Sequence, residues 1–313
     1  MKVATSLADA DISHKSVVSI GNFDGVHLGH QAILKRVVMR ARELGLQAVA
    51  MTFSPHPIRY LAPARSPRLI STLEQKIQLI EALGIDLLFI AKFDEAFSRL
   101  SPEEFINKYL VHGLTAQAVC VGGNFNFGYR QRGTIQTLRE FRSQLEIIEV
   151  PAVAVRGIVA SSSRIRELVA SGQVSRACRL LGRWIQIEGR VVSGAGRGRT
   201  MKVPTLNLEP DNELVPGNGV YITRISLDGG EFMNAVTNIG VRPTFNETAV
   251  TIETFVLGDK VPANAVQGSI DFLHRLRDEK KFSSADELRN QIGLDVYSAQ
   301  KFFRRLHLQD VRR

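Results

Sequence analysis

Along the first half of the chain, short apolar runs alternate with stretches whose apolar residues recur every three or four positions. "SVVSI" leads through a glycine-rich segment into "QAILKRVVMRAREL", where Ile33, Leu34, Val37 and Val38 share one helical face before Gly45 stops it. "QAVAMTF" reads as a buried strand. Ser71 and Glu74 have the spacing of a capping box for "TLEQKIQLIEAL", Gly84 ends that helix, and "IDLLFI" supplies the next strand. "SPEEFINKYLV", with Ser101 as N-cap and Pro102 at the first helical position, precedes the strand-like "AVCV". Strands alternating with helices predict a parallel sheet covered by helices on both faces and extending to Val150.

Two further helical pieces follow, "SSRIRELVASG" and "SRACRLLG", the second ending at Gly182. The period then changes. From Trp184 to about Leu276 the apolar residues lie in short stretches broken by Gly and Pro, as in "GVYITRISLDGG", which predicts antiparallel strands closing into a barrel. A helix from about Ser284 to Leu306 closes the pattern. A chain of 313 residues is long for one core, so the change of period is read as a domain boundary, 1–183 and 184–313.

Composition adds few constraints. Hydrophobic residues at 44% and charged residues at 23% are globular values. No apolar run approaches the roughly 18 residues a membrane span needs, so no membrane partner and a cytoplasmic location are expected. Cys120 and Cys178 are the two cysteines and lack metal or disulfide spacing. Lys plus Arg exceeds Asp plus Glu by 40 to 31, a net charge of +9 that invites polyanions. Nucleic acid and phosphorylated small molecules both fit that charge, and composition does not choose between them. The excess is scattered, as on a solvated surface, and the absence of a basic, aromatic-laced segment counts against a nucleic-acid partner.

Two segments carry candidate chemistry. "SIGNFDGVHLGHQ" is a strand-to-helix turn, where ligands bind beyond the carboxyl end of a strand and the free N–H groups of the helix start favour anions. His27 and His30, three apart, can present hydrogen-bond donors to phosphate there and stabilise developing charge. The pair could also ligate a metal, but no third ligand is apparent nearby. "SGAGRGRTMKVPTLNL" has the glycine-rich, basic look of a phosphate cradle at Gly194, Gly196 and Gly198, without the Walker spacing. Thr205 and Asn207, two apart in an extended strand, face the same way and offer hard oxygen ligands that suit Mg2+ and phosphate.

"GNFDGVHLGH" resembles the signature of the nucleotidylyltransferase superfamily, and "ASSSRIR" (160–166) resembles its companion box. "TFSPHP", "VGGNFNFG", the glycine-rich stretch leading to "PTLN", and "TIETFVL" resemble, in order, further blocks of the bacterial bifunctional riboflavin kinase and FAD synthetase family. The resemblance implies a Rossmann-like nucleotidylyltransferase domain followed by an antiparallel β-barrel riboflavin kinase domain with a C-terminal helix. It implies ATP-dependent phosphorylation of riboflavin to FMN, then adenylylation of FMN to FAD with release of pyrophosphate, both with Mg2+. Riboflavin, FMN, FAD and ATP would be the partners, and an oligomer is possible but not predicted.

By matching positions, His27 and His30 would bind the ATP phosphates, Gly21, Asn22, Phe23 and Asp24 would line the nucleotide, and Asn124 would help place substrate. His56 is a further candidate, and Ser162, Arg164 and Arg166 would lie near phosphates. Gly194, Gly196, Gly198, Thr205 and Asn207 would hold the second ATP and its Mg2+, with Glu253 as catalytic base. Three departures stand in the kinase half: Lys202 and Phe255 where the family usually has glycine and histidine, and "NAVQG" in place of a Tyr-Gly pair. They leave two rival expectations, an adenylyltransferase with a degenerate kinase domain, or a non-catalytic protein that responds to flavin or nucleotide.

Overall fold

The computed structural model describes residues 1–10, 14–141, 143–192, 205–243, 248–258, 262 and 264–310. Its contacts divide the chain into two compact units, Met1–Ser162 and Ser163–Arg313.

The first unit is built on a six-stranded, wholly parallel sheet in the order β1-β4-β3-β2-β5-β6. Its strands are β1 (Lys2–Ala4), β2 (Ser16–Ile20), β3 (Gln47–Ser54), β4 (Leu87–Lys92), β5 (Ala116–Gly122) and β6 (Glu146–Val150). Every residue of β2 is buried, because apolar clusters cover both faces: Val18, Met51 and Phe89 point to one, Val17, Leu34 and Ile80 to the other. The chain runs from β2 outward through β3 and β4, then returns to place β5 on the other side of β2. The loops after β2 and β5 therefore flank the point where strand order reverses.

The helix after β2 is Leu28–Leu44, closed by Gly45 in the left-handed region at φ 66°. Ser101 and Glu104 form a capping box on Pro102–Phe105, which continues as a π-helix over Ile106–Gly113. One expectation is corrected. The capping box of Leu73–Glu81 is made by Thr72 and Gln75, one residue beyond the Ser71 and Glu74 pair, because the Ser71 hydroxyl instead accepts the Gly25 N–H at 3.2 Å.

After a hairpin of β7 (Ala154–Val155) and β8 (Ile158–Val159), the helix Ser162–Ala170 starts at the last residue of the first unit and its remainder, with the helix Val174–Leu181 ended by Gly182, opens the second. Six antiparallel strands then close into a barrel in the order β10-β13-β12-β11-β14-β9. They are β9 (Ile185–Val192), β10 (Thr205–Pro210), β11 (Gly219–Leu227), β12 (Met233–Pro243), β13 (Thr248–Val256) and β14 (Gln267–Arg277). Inside, the buried hydroxyls of Thr223, Thr237 and Thr254 form a hydrogen-bonded chain across β11, β12 and β13, at 2.8 and 2.9 Å. The helix Ala285–Asp310 lies on the outside, where Ala299, Phe302 and Phe303 cover Val220, Ile222 and Val236. A bidentate pair from Arg277 to the buried Asp295 carboxylate pins it.

Candidate functional site

The loop between β2 and the helix Leu28–Leu44 is held in an uncommon conformation. Phe23 and Val26 take φ of 46° and 37°, which side chains of their size rarely adopt, and both are buried. What holds them is the Asp24 carboxylate, 1% exposed, which accepts the N–H groups of Ile70 and Ser71 at 3.0 and 3.3 Å. Thr52 on β3 donates to the Asn22 carbonyl at 3.2 Å, and Ser162 donates to the Asp24 carbonyl at 3.0 Å. The "FDG" turn and the start of the "SSSR" segment are thereby brought together, although they lie far apart in sequence.

His27 is the N-cap of the helix, its Nδ1 accepting the His30 N–H at 3.3 Å. That bond and the helical spacing bring the two imidazoles into a stack with centroids 3.7 Å apart. Gly29 leaves room for the His27 ring, since a Cβ there would sit 3.1 Å from it, a tight contact. The edge of Phe23 closes the other side of His30, at 5.3 Å. The Nδ1 of His30 is buried and makes no hydrogen bond among the described residues.

Burial holds the His30 imidazole well below its usual 6.5, helped by His27 and by Lys76. A lowered folded pKa carries no stability penalty above the unfolded value and a growing one as pH falls below it. The denaturant midpoint is therefore expected to fall between pH 7 and pH 5 by more in the native protein than in His30→Asn, as chemical denaturation at the two pH values would measure.

Of the other positions read from the sequence, Asn22 and Asn124 are exposed, whereas Phe23 and Asp24 point inward and act through the loop's shape. His56 caps the helix Pro57–Leu61, its Nδ1 accepting from the Ile58 N–H. Arg164 and Arg166 lie on the helix of the second unit, Arg164 paired with Glu167 at 2.8 Å. Lys76 belongs to none of these motifs. Its signal was its place at the helical spacing of Leu73, Ile77 and Ile80, a stripe that would otherwise be apolar.

In the barrel, strand register assembles the second candidate site. Asn207 of β10 stands opposite Glu253 of β13, and Asn238 of β12 stands on the other side of Glu253. Opposed residues in antiparallel strands lie on one face with Cβ atoms about 5 Å apart. Thr254 points into the barrel, so this row faces outward, with Thr205 two residues along and opposite Phe255. The donors are hydroxyl, amide and carboxylate oxygens, a set that fits Mg2+. Gly194, Gly196, Gly198 and Lys202 lie outside the described residues.

Residues 9–164 match the family model described as FAD synthetase, and residues 181–303 match the one described as riboflavin kinase. A bifunctional riboflavin kinase/FMN adenylyltransferase of Bacillus subtilis is 37% identical, covering 93% of this chain and 94% of that protein. One of the same description from Escherichia coli is 31% identical, covering 92% of each. A crystal structure described as a macrolide-efflux protein of Streptococcus pneumoniae has a TM-score of 0.87 and 28% identity, over 95% of this chain and 98% of that one. Among the described residues here, no helix is long and apolar enough to cross a membrane.

Proposed function

The chain belongs to the bifunctional riboflavin kinase/FMN adenylyltransferase family, and from that premise we propose which residues perform its two ATP-dependent reactions. The protein converts riboflavin and ATP to FMN and ADP, and FMN and a second ATP to FAD and pyrophosphate. By chemistry we divide it at 183/184, adenylyl transfer before and phosphorylation after, and we place it in the cytoplasm.

In the first reaction an oxygen of the riboflavin ribityl 5′-hydroxyl bonds to the γ-phosphorus of ATP as the bond to ADP breaks. Glu253 takes the hydroxyl proton. Thr205 and Asn207 would hold Mg2+ together with the phosphates, and the ion would supply charge neutralisation on the transferring group. The observation that carries the kinase assignment is the register that faces Asn207 to Glu253, since neither residue is displaced by Phe255 two positions away.

In the second reaction a phosphate oxygen of FMN bonds to the α-phosphorus of another ATP, and pyrophosphate leaves. No side chain need act as base, because the second pKa of a phosphate monoester is about 6 and the oxygen is already ionised near neutral pH. Catalysis rests on position and charge. His27 and His30 meet the triphosphate at the helix start, Gly21 and Asn22 line the nucleotide, and Asn124 lies beside it on the loop after β5. Burial and His27 hold the His30 pKa down more than Lys76 does; the negative charge of a bound phosphate opposes the effect of both neighbouring cations and favours the protonated imidazole.

The test is direct. Purified protein is incubated with ATP, Mg2+ and either riboflavin or FMN, and the flavins are separated by chromatography. FAD is expected from both. FAD from FMN alone would show that Phe255 and its neighbours have cost the protein its kinase step, and no conversion of either would refute both assignments.

A further inference from the structure

Lys76 presents a chemical problem that the fold does not solve. It lies on the helix Leu73–Glu81 and is only 7% exposed, among the apolar residues of that stripe. Lysine is almost never buried to this degree unless its charge is paired. Yet among the described residues its ammonium makes no hydrogen bond or ion pair. Its electrostatic neighbours are Asp24, which favours its charge, and His30, whose protonation it opposes. Asp24 directs its carboxylate to the N–H groups of Ile70 and Ser71, and the segment they start leads straight into the helix that carries Lys76.

In the same neighbourhood the buried Nδ1 of His30 is left without a hydrogen bond among the described residues, so an unpaired ammonium and an orphaned ring nitrogen share one electrostatic environment. A desolvated cation beside an orphaned imidazole nitrogen, at the start of a helix whose dipole is positive there, is a site that an anion completes. We propose that Lys76 is a catalytic residue of the adenylyltransferase site, its ammonium contacting a phosphate oxygen of ATP beside His30 and neutralising charge that builds as pyrophosphate leaves. This rests on the assignment of the His27 and His30 loop to adenylyl transfer.

The electrostatics support the choice of a ligand role over a structural one. Burial lowers the Lys76 pKa, and Asp24 only partly opposes this. A folded pKa below the unfolded one means that the charged lysine opposes folding throughout neutral pH, the penalty being relieved only as pH climbs past the folded value. A residue kept for stability would act the other way.

The experiment compares Lys76→Met, which keeps the length and apolar stem, with Lys76→Arg and His30→Asn in the full chain. The readouts are FAD formation from FMN across ATP concentrations and pH, riboflavin phosphorylation, and the thermal midpoint. In Lys76→Met, kcat/KM for ATP in adenylyl transfer is expected to fall roughly 100-fold, with an unchanged or raised midpoint, because an unpaired buried charge has been removed. Riboflavin phosphorylation should continue. The alkaline limb of the transfer reaction should move to higher pH, since His30 loses a repelling neighbour and holds its proton longer, and Lys76→Arg should restore part of the rate. Transfer within about threefold of the native rate in Lys76→Met, or a lowered midpoint with both activities lost, would overturn the proposal. Intact transfer in His30→Asn would instead remove the site assignment, and the role of Lys76 with it.

Discussion

FAD formation from FMN is expected to fall by roughly 1,000-fold or more when His27 and His30 are both replaced by alanine, while riboflavin is still converted to FMN. The stack at 3.7 Å makes the two imidazoles one structural element, so their losses should not add. Either single variant is expected to show most of the effect of the double. Replacing His27 also removes the N-cap acceptor of the helix, a loss of about 1 kcal/mol that could be mistaken for lost chemistry. His27→Asn separates the two, since an asparagine oxygen can cap the helix but brings no imidazole. If adenylyl transfer survives in His27→Asn and fails in His27→Ala, His27 acts through the cap. If it fails in both, the ring is required. Chromatographic separation of FMN and FAD after incubation with riboflavin reads both activities in one experiment, and loss of both together would contradict the existence of two separate sites.

The converse result is expected from Glu253→Gln. Riboflavin phosphorylation should drop by about 100- to 10,000-fold, the range for loss of a positioned general base, while FMN supplied directly is still adenylylated. Glutamine keeps the shape and the hydrogen-bonding capacity of the side chain between Asn207 and Asn238, so the barrel is not expected to change. If Glu253 is the base, the fall lies in kcat with KM for riboflavin little altered, because the proton is taken only as the hydroxyl attacks. A fall confined to KM would make Glu253 a binding group instead.

Much of this was legible in the sequence, and the exceptions have physical causes. The strands of the first unit are continuous apolar runs because both faces of the sheet are covered, and those of the barrel are short stretches between turn residues. Those signals are local. Ser71 and Thr72 illustrate a local signal with two readings: each is a cap residue followed three positions later by a side chain that can complete the box, and what selects Thr72 is the distant Gly25, which engages Ser71. The facing of Asn207 and Glu253 is set by barrel register, which no window of sequence reports. The motif marks Asp24 as a nucleotide-lining candidate, and no motif reports that its carboxylate also holds the loop by accepting the Ile70 and Ser71 N–H groups. Lys76 could be noticed only once its helix was known to bury the face it occupies.

Closure of the barrel has a consequence for how the two units open to solvent. The parallel sheet ends in two edges, β1 with three residues and β6 with five, and each is hydrogen-bonded along one side only. Edge amides of this kind exchange with water by local fraying, well before the unit unfolds. In the barrel every strand has a neighbour on both sides, so freeing any one breaks two seams, and the strand that carries Glu253 is bonded to those that carry Asn207 and Asn238. The amides along that row are released to solvent together, in the opening of the barrel as a whole, and the catalytic groups they support share one local stability.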